Sequence, residues 1–286
     1  MPAPDLGPAP AHVITERPLA VHLLPALVAP EALAGGVVIM IDALRASVTI
    51  SAALAAGATR VVPTLTVEDA LAAREKMGGD PLAHARGSLG GLPGVLLGGE
   101  RGGVLIPGFD LDNSPRAYTP ERVRGKEIVF TTANGTAALL HAARAAEVYI
   151  GAVSNISLVV GAVALEPRPV HILCAGTRGE ITMDDCLAAG LIAVRLVDAG
   201  RQLVSDDSAR LCISLARLAR VHAEGEAGGV LELMRESRGG RGLERIGLLD
   251  DLSVCARIDS VPVLPRFDAA RGEITRADER AATRGV

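Results

Sequence analysis

The sequence predicts an α/β protein of three-layer α/β/α architecture, with a mainly parallel sheet between helices. Three observations carry this expectation. Apolar runs of strand length alternate with Ala-rich stretches of helical length, the pattern of strand–helix–strand units. Several runs are continuously apolar, so both faces of those strands are expected to be covered, as in a parallel sheet. The composition supplies the matching core. Of 286 residues, 49% are hydrophobic and 22% charged, with no Trp, 2 Tyr and 3 Phe, which leaves Val, Ile, Leu and Ala to fill the interior.

The elements follow in order. Residues 1–12, "MPAPDLGPAPAH", form a Pro/Ala-rich stretch expected as a flexible tail, without the basic and apolar regions of a signal peptide. "GGVVIMID" is an apolar run ending in Asp42 and is expected as a buried strand. "RASVTISAALAAG" follows as a helix closing on Gly57, then "ATRVVPT" as the next strand, and Thr66 caps a helix carrying "VEDALAAREKM". Residues 78–99 hold recurrent Gly with Pro81 and Pro93 and are expected as loop. In the second half "EIVFTT", "EVYIGA" and "PVHILCAG" are strands, and "NGTAALLHAARAA" and "SNISLVVGAVAL" are helices between them. "TMDDCLAAGLIAVRLVDAG" is a long helix, followed by helices over 205–222 and 227–236. "RESRGGRGLERIG" is expected as a solvated loop, though Arg238 or Arg241 could close over an anion. His141 and His222 are expected on helix surfaces, and 266–286 as a polar C-terminal tail.

"VVIMIDALRASVTISAALAAGATRVV" and "IVFTTANGTAALLHAARAAEVYIG" both run strand, polar turn, Ala-rich helix, strand. One α/β domain is expected over 13–265, which the repeat would divide into halves at about 13–125 and 126–265.

Composition also excludes function classes. A net charge of -4 argues against a general nucleic-acid or membrane-surface binder. No run approaches the roughly 18 apolar residues that span a bilayer. Cys174, Cys186, Cys212 and Cys255 show no CxxC pair and are expected as reduced thiols of a cytoplasmic protein. The six histidines show neither HxH nor HExxH spacing, so a soft-metal site is not expected. Ala-rich helices that pack closely are compatible with a homodimer.

Ligands in such sheets sit beyond the carboxyl ends of the strands. That rule collects Asp42 with Arg45, Thr131 to Thr136, Asn155, and Cys174 to Arg178, with the polar stretch "GERGGVLIPGFDLDNSPRAY" (99–118) as a lid. Asp42, Glu100, Asp110, Asp184 and Asp185 are candidate ligands for a hard, oxygen-seeking ion such as Mg²⁺. Asp42 could instead serve as a helix N-cap, and Asp184 and Asp185 as favourable charges in a first helical turn. "TTANGT" and "AGTRGE" place hydroxyls and tight Gly turns after strands, where backbone N–H groups can hold an anion. Arg45, Arg101, Arg116 and Arg178 add charge-assisted contacts. Familiar phosphoryl-transfer signatures are missing. No GxxxxGK[ST] or GxSxG occurs, Glu180 stands where a cysteine phosphatase loop needs Arg, and Leu44 stands where haloacid-dehalogenase phosphatases place a second Asp. Cys174 has no evident base nearby and is expected as a packed thiol.

"VVIMIDALRASVTI", "GERGG…GFDLDNSPRAYT", "TTANGTAAL" and "CAGTRGEITMDDCLAAG" together resemble the 2-phosphosulfolactate phosphatase (ComB-like) family, in order from about residue 36 to 200. "GLLDDLSVCARIDSVPVLP" continues the match. The resemblance implies a Mg²⁺-dependent hydrolysis of 2-phospho-3-sulfolactate to sulfolactate and phosphate, a reaction on a route to coenzyme M. It implies Asp42, Glu100 and Asp185 at the metal, with Arg45, Arg101, Asn134, Gly135 and Thr136 on the phosphate. Asn113, Ser114 and Arg178 would then meet the carboxylate or sulfonate, with Thr132, Asn155, Gly176 and Thr177 as further substrate-binding residues. Asp110 is open between ligand, water-activating base and loop brace. Ala133 replaces the third threonine of the family's usual run, and Asp184-Asp185 replaces its Glu-Asp pair. Both departures bear on substrate fit more than on the reaction. A non-catalytic sensor of a small phosphorylated acid and a phosphotransferase are the rival readings.

Overall fold

The computed structural model describes residues 17–78, 94–204, 207–221 and 228–277. The tail expected over 1–12, the loop residues 79–93, His222 and residues 278–286 lie outside the described residues.

Strand β1 (Pro18–His22) leads through two short 3₁₀ turns to β2 (Val37–Ile41), the "VVIMI" run, which is buried at every position. Helix α1 (Ala46–Ala55), strand β3 (Arg60–Thr64) and helix α2 (Val67–Lys76) follow. Thr66 caps α2 as expected, its Oγ1 accepting from Asp69 N–H at 3.0 Å. Then come β4 (Val95–Arg101), β5 (Val104–Leu105), the short α3 (Pro120–Val123), β6 (Glu127–Thr131), α4 (Gly135–His141), β7 (Glu147–Gly151), α5 (Ile156–Val163) and β8 (Val170–Cys174). The long α6 (Met183–Asp198) precedes β9 (Gln202–Leu203), α7 (Asp207–Val221), α8 (Gly228–Glu236), α9 (Arg238–Arg245) and α10 (Leu249–Cys255). The hairpin β10 (Pro265–Asp268) and β11 (Glu273–Arg276) ends the described chain.

All strands join one sheet in the order β5-β4-β6-β3-β11-β10-β7-β2-β8-β1-β9. It holds two parallel blocks. One is β4-β6-β3 and the other is β7-β2-β8-β1-β9. The β10-β11 hairpin joins them, antiparallel to β7 on one side and to β3 on the other. The repeat units seen in the sequence are interlocked. The first strand of one unit, β2, pairs with the last of the other, β7, while β3 pairs with β6.

Alternate residues of β2 feed different cores. Val37, Ile39 and Ile41 pack with α5, α6 and α7 through residues such as Ile156, Leu187 and Cys212. Val38 and Met40 turn to α1 and α4, where they share a cluster with Leu96, Ile128 and Phe130 from the other block. That shared core draws the two blocks together around α1 and α4, so the carboxyl ends of β2 and β6 approach although they are far apart in strand order. The architecture is the expected three-layer α/β/α. No described helix is long and apolar enough to cross a membrane.

Three local expectations are corrected. Residues 95–99 are strand, not loop. Glycine there marks close backbone approach, because a side chain at Gly99 would meet Thr131 O at 2.0 Å and one at Gly98 the Tyr118 hydroxyl at 2.4 Å. The tail expected from 266 instead supplies both strands of the central hairpin, where Phe267 and Ile274 are core residues. "RESRGGRGLERIG" carries helix α9, started by Ser237, whose Oγ accepts from Gly240 N–H at 2.9 Å. The glycines there hid the helix, because at Gly240 a side chain would meet Met234 O at 2.0 Å.

Candidate active site

The polar strand ends meet where α1 and α4 begin. Asp42 follows β2 and is buried. Its Oδ1 accepts from Ala46 N–H at 3.2 Å, so the carboxylate does hold the start of α1, as the N-cap reading supposed. Three further carboxylates are grouped with it. Asp184 and Asp185, in the first turn of α6, are each 3% exposed, and Glu100 at the end of β4 is 9% exposed. Burial, then the nearby charges of Asp184 and Glu100, push the Asp42 carboxyl up to about 7 against the pull of the Ala46 and Gly135 amides. Burial followed by Asp184 and Asp42 likewise raises Asp185, and burial raises Asp184.

The four carboxylates differ in what holds them. Asp185 bridges two connections, its Oδ1 accepting from Ala43 N–H at 2.7 Å and its Oδ2 from Gly176 N–H at 2.8 Å. Glu100 accepts from Gly103 N–H at 2.7 Å through Oε2, whereas its Oε1 has only a 3.4 Å contact with Ala133 N–H. Asp184 meets Ser237 and Gly239 on one side, while its Oδ1 is buried with no partner.

That atom is not alone. Asn113 Oδ1 in the 99–118 segment, Thr132 Oγ1 after β6 and Thr182 Oγ1 before α6 are also buried without partners among the described residues. Each belongs to one of the strand-end segments. An unsatisfied buried polar atom costs about 1–3 kcal/mol, so each of these four calls for a bound group or a water beside it.

The two turns expected to hold an anion are tied to each other. Asn134 Oδ1 accepts from Arg178 N–H at 2.9 Å, joining the "TANGT" and "AGTRG" turns. Gly135 and Thr136 open α4 and are buried. Gly176, at φ 65°, leaves no room for a side chain, because one would lie 2.2 Å from Leu24 Cδ2. Thr177 bridges Glu180 through the backbone. Arg178 is exposed, at φ 54°, and its guanidinium makes no bond among the described residues. Arg101 is half-buried and donates to Glu100 O, Leu65 O and Thr131 Oγ1.

Other expected ligands are engaged elsewhere. Arg45 is 2% exposed, ion-paired with Asp251 and bonded to Gly103 O at 2.7 Å, so it ties loops together and does not lie open to an anion. The Ser114 hydroxyl donates to Asp251 Oδ1 at 2.7 Å. Asn155, expected at the substrate, is engaged within the fold. It lies 1% exposed and uses its whole amide on Ala152 N–H, Ile150 O and Val263 O. Asp110 accepts from Leu97 N–H at 2.8 Å and lies 3.7 Å from Arg74, partners that match the loop-brace alternative. Arg116 pairs at the surface with Asp250. Arg238 pairs with Glu180, and Arg241 bonds Glu236 O. Cys174 is fully buried, with its thiol pushed well up by a bond with Cys186 and by burial, which suits a packed thiol.

Asp251, Thr182, Ser237 and Gly239 are the site residues that sequence patterns did not single out. A side chain at Gly239 would stand 3.0 Å from Asp184 Oδ2, so α9 covers the acidic group. Thr182 and Asp251 lie within the quoted motifs, but what Asp251, Ser237 and Gly239 touch lies in distant segments.

The donor set fits a hard cation in its chemistry. Among the described residues no three His, Cys, Asp or Glu side chains are gathered tightly enough to cage an ion unaided. An ion such as Mg²⁺, however, keeps several waters and takes only one or two carboxylates from a protein. Asp184 Oδ1 is unpartnered and the Asp42 carboxyl is raised partly by its acidic neighbours, so both would gain from a positive charge.

A sequence model of 2-phosphosulpholactate phosphatase matches residues 22–270. Curated relatives agree. The chain is 39% identical to a probable 2-phosphosulfolactate phosphatase of Symbiobacterium thermophilum over 238 residues, covering 83% of this chain and 93% of the relative. It is 38% identical to one from Deinococcus radiodurans over 249 residues, 86% and 92% of the two chains. A third, from Caldanaerobacter subterraneus, shares 34% over 230 residues, 80% and 87% of the two chains. The chain belongs to the 2-phosphosulfolactate phosphatase family.

Proposed function

We propose that this family member is a Mg²⁺-dependent phosphatase that hydrolyses 2-phospho-3-sulfolactate to sulfolactate and inorganic phosphate. One observation carries the reading: mutually repelling buried carboxylates lie with buried, unpartnered polar atoms where the strand ends meet. A cation among the acids and an anion against the donors would satisfy both groups at once. Family membership and the names of the relatives support the substrate.

Asp42 and Asp184 would hold the ion, with Glu100 Oε1 exchanging its long bond from Ala133 N–H to turn toward it. Asp185 would keep the Ala43 and Gly176 segments in place around them. When bound, Mg²⁺ would polarise a phosphoryl oxygen and stabilise the leaving alkoxide. The N–H groups at the start of α4, around Asn134, Gly135 and Thr136, would receive the phosphate. Thr132 would donate its hydroxyl hydrogen, and Asn113 its side-chain N–H, to anionic oxygens of the bound substrate, with Asn113 Oδ1 accepting from a water. Arg178 would meet the carboxylate or sulfonate, because its guanidinium is exposed and makes no bond within the described chain. Catalysis in this arrangement is mostly positioning and charge stabilisation. Free cysteines at all four positions support a cytoplasmic setting for the enzyme.

The test is phosphate release from racemic 2-phospho-3-sulfolactate, with Mg²⁺ and then with EDTA. Release that stops on chelation is expected. A folded protein that releases no phosphate from either enantiomer overturns the substrate, and release unaffected by EDTA overturns the metal.

A further inference from the structure

We infer that Asp251 is a positioning residue that holds the 99–118 segment closed over the strand ends and thereby sets the place of Asn113. Its carboxylate is 0% exposed, and each oxygen has a different partner. Oδ2 pairs with Arg45, and Oδ1 accepts from the Ser114 hydroxyl at 2.7 Å. Arg45 in turn donates to Gly103 O at 2.7 Å. One buried carboxylate on α10 thus fixes both limbs of the segment, at Gly103 and at Ser114, to the connection between β2 and α1. Asn113 is adjacent to Ser114, and its backbone O is held by Thr49 Oγ1 at 2.9 Å. The side-chain Oδ1 of Asn113 is left buried and without a partner. At the surface Arg116 and Asp250 join the same two segments again at 2.9 Å.

A buried ion pair contributes little net stability compared with apolar packing of the same volume, but it fixes which groups must meet. Here the groups that meet are two loops and a helix that are remote in sequence. The Asp251 oxygens are engaged by the chain itself, so its role is exerted through Arg45 and Ser114. What closure serves, the reading of substrate by Asn113, rests on the phosphatase proposed above. The tether itself rests only on the bonds just given.

The experiment compares the full-length wild type with Asp251→Asn, Ser114→Ala and Ser114→Thr. Hydrogen exchange is followed in peptides covering 99–118 and, as a remote reference, in α7. KM and kcat are taken from phosphate release. Asp251→Asn should speed exchange in 99–118 while α7 is unchanged, and raise KM about tenfold with kcat altered far less, as befits one lost charge-assisted bond. Ser114→Ala should move both quantities in the same direction by less, and Ser114→Thr, which keeps the hydroxyl, should restore them. Unchanged exchange in 99–118, or a change shared equally by α7, would overturn the tether. Unchanged KM with faster loop exchange would overturn its link to Asn113. Should Asp251→Asn fail to fold because Arg45 loses its partner, the Ser114 pair still decides, since it leaves the ion pair in place. A wild type that releases no phosphate defeats the phosphatase reading, while the exchange data still decide the tether.

Discussion

Gly135 lies directly against Asp42. A methyl group at residue 135 would stand 2.9 Å from Asp42 Oδ2 and 3.2 Å from Ala46 Cβ. The two residues come from the turns that lead into α1 and α4, so the proposed metal carboxylate lies against the turn proposed to take the phosphate. Gly135→Ala should therefore cost about 1–3 kcal/mol of stability through overpacking. It should also lower turnover more than tenfold, about what a misplaced site costs. Thermal unfolding with steady-state assays of the same preparation checks both, and undiminished turnover would show that the contact is incidental.

Asp42→Asn tests the centre of the acidic group. Mg²⁺-dependent turnover should fall by about 100-fold or more, as for loss of a group that stabilises developing charge. Titration calorimetry should show weaker Mg²⁺ binding to the variant. Wild-type-like binding and turnover would remove Asp42 from the metal site.

The raised Asp42 carboxyl has a pH signature in the metal-free protein. Its ordinary value of 3.8 rises to about 7 on folding, so between these limits the folded state binds more protons than the unfolded chain. The stability it contributes is complete at the acid end and is lost as pH rises toward 7. Urea unfolding in EDTA should show this fall, and Asp42→Asn should flatten it. Added Mg²⁺ should restore stability near neutrality. A fall of equal size in the variant would assign it to other groups.

Thr132→Val separates binding from folding. The Thr132 Oγ1 is buried without a partner, so its replacement by a methyl should leave stability unchanged or raise it by about 1 kcal/mol. KM should rise because the hydroxyl no longer meets substrate. Unfolding curves and KM on one sample would expose the opposite result, a destabilised protein with normal KM, as evidence of an ordinary structural threonine.

Asn155→Ala should behave in reverse. Three bonds of 2.9, 3.1 and 3.0 Å are lost, and the Val263 and Ile150 carbonyls are left buried. Stability should drop by about 2–4 kcal/mol, with KM unchanged in the protein that stays folded. A selective rise in KM would return Asn155 to the substrate.

Much of this was legible beforehand. Strands such as "VVIMI" and "VHILC" are set by local apolar runs, and the helix cap at Thr66 by a local hydroxyl. Asp42, Glu100 and the "TANGT" turn could be gathered because residues after parallel strands share one edge. The hairpin at 265–276 and helix α9 were not legible, because polar and Gly-rich segments become ordered only through what they pack against. Arg45 and Asn155 look like ligands in sequence, yet their partners Asp251 and Val263 lie more than a hundred residues away.

By itself, then, the sequence determined the fold class, the central strand–helix units and the family, since these rest on periodicity and on ordered motifs along the chain. Only the tertiary structure decided which polar groups bond within the protein and which have no partner there. That difference depends on burial and on contacts between distant segments. Asp251 shows it most plainly: in the chain it is one of two aspartates at the start of a helix, and in the fold it joins α10 to both limbs of the 99–118 segment.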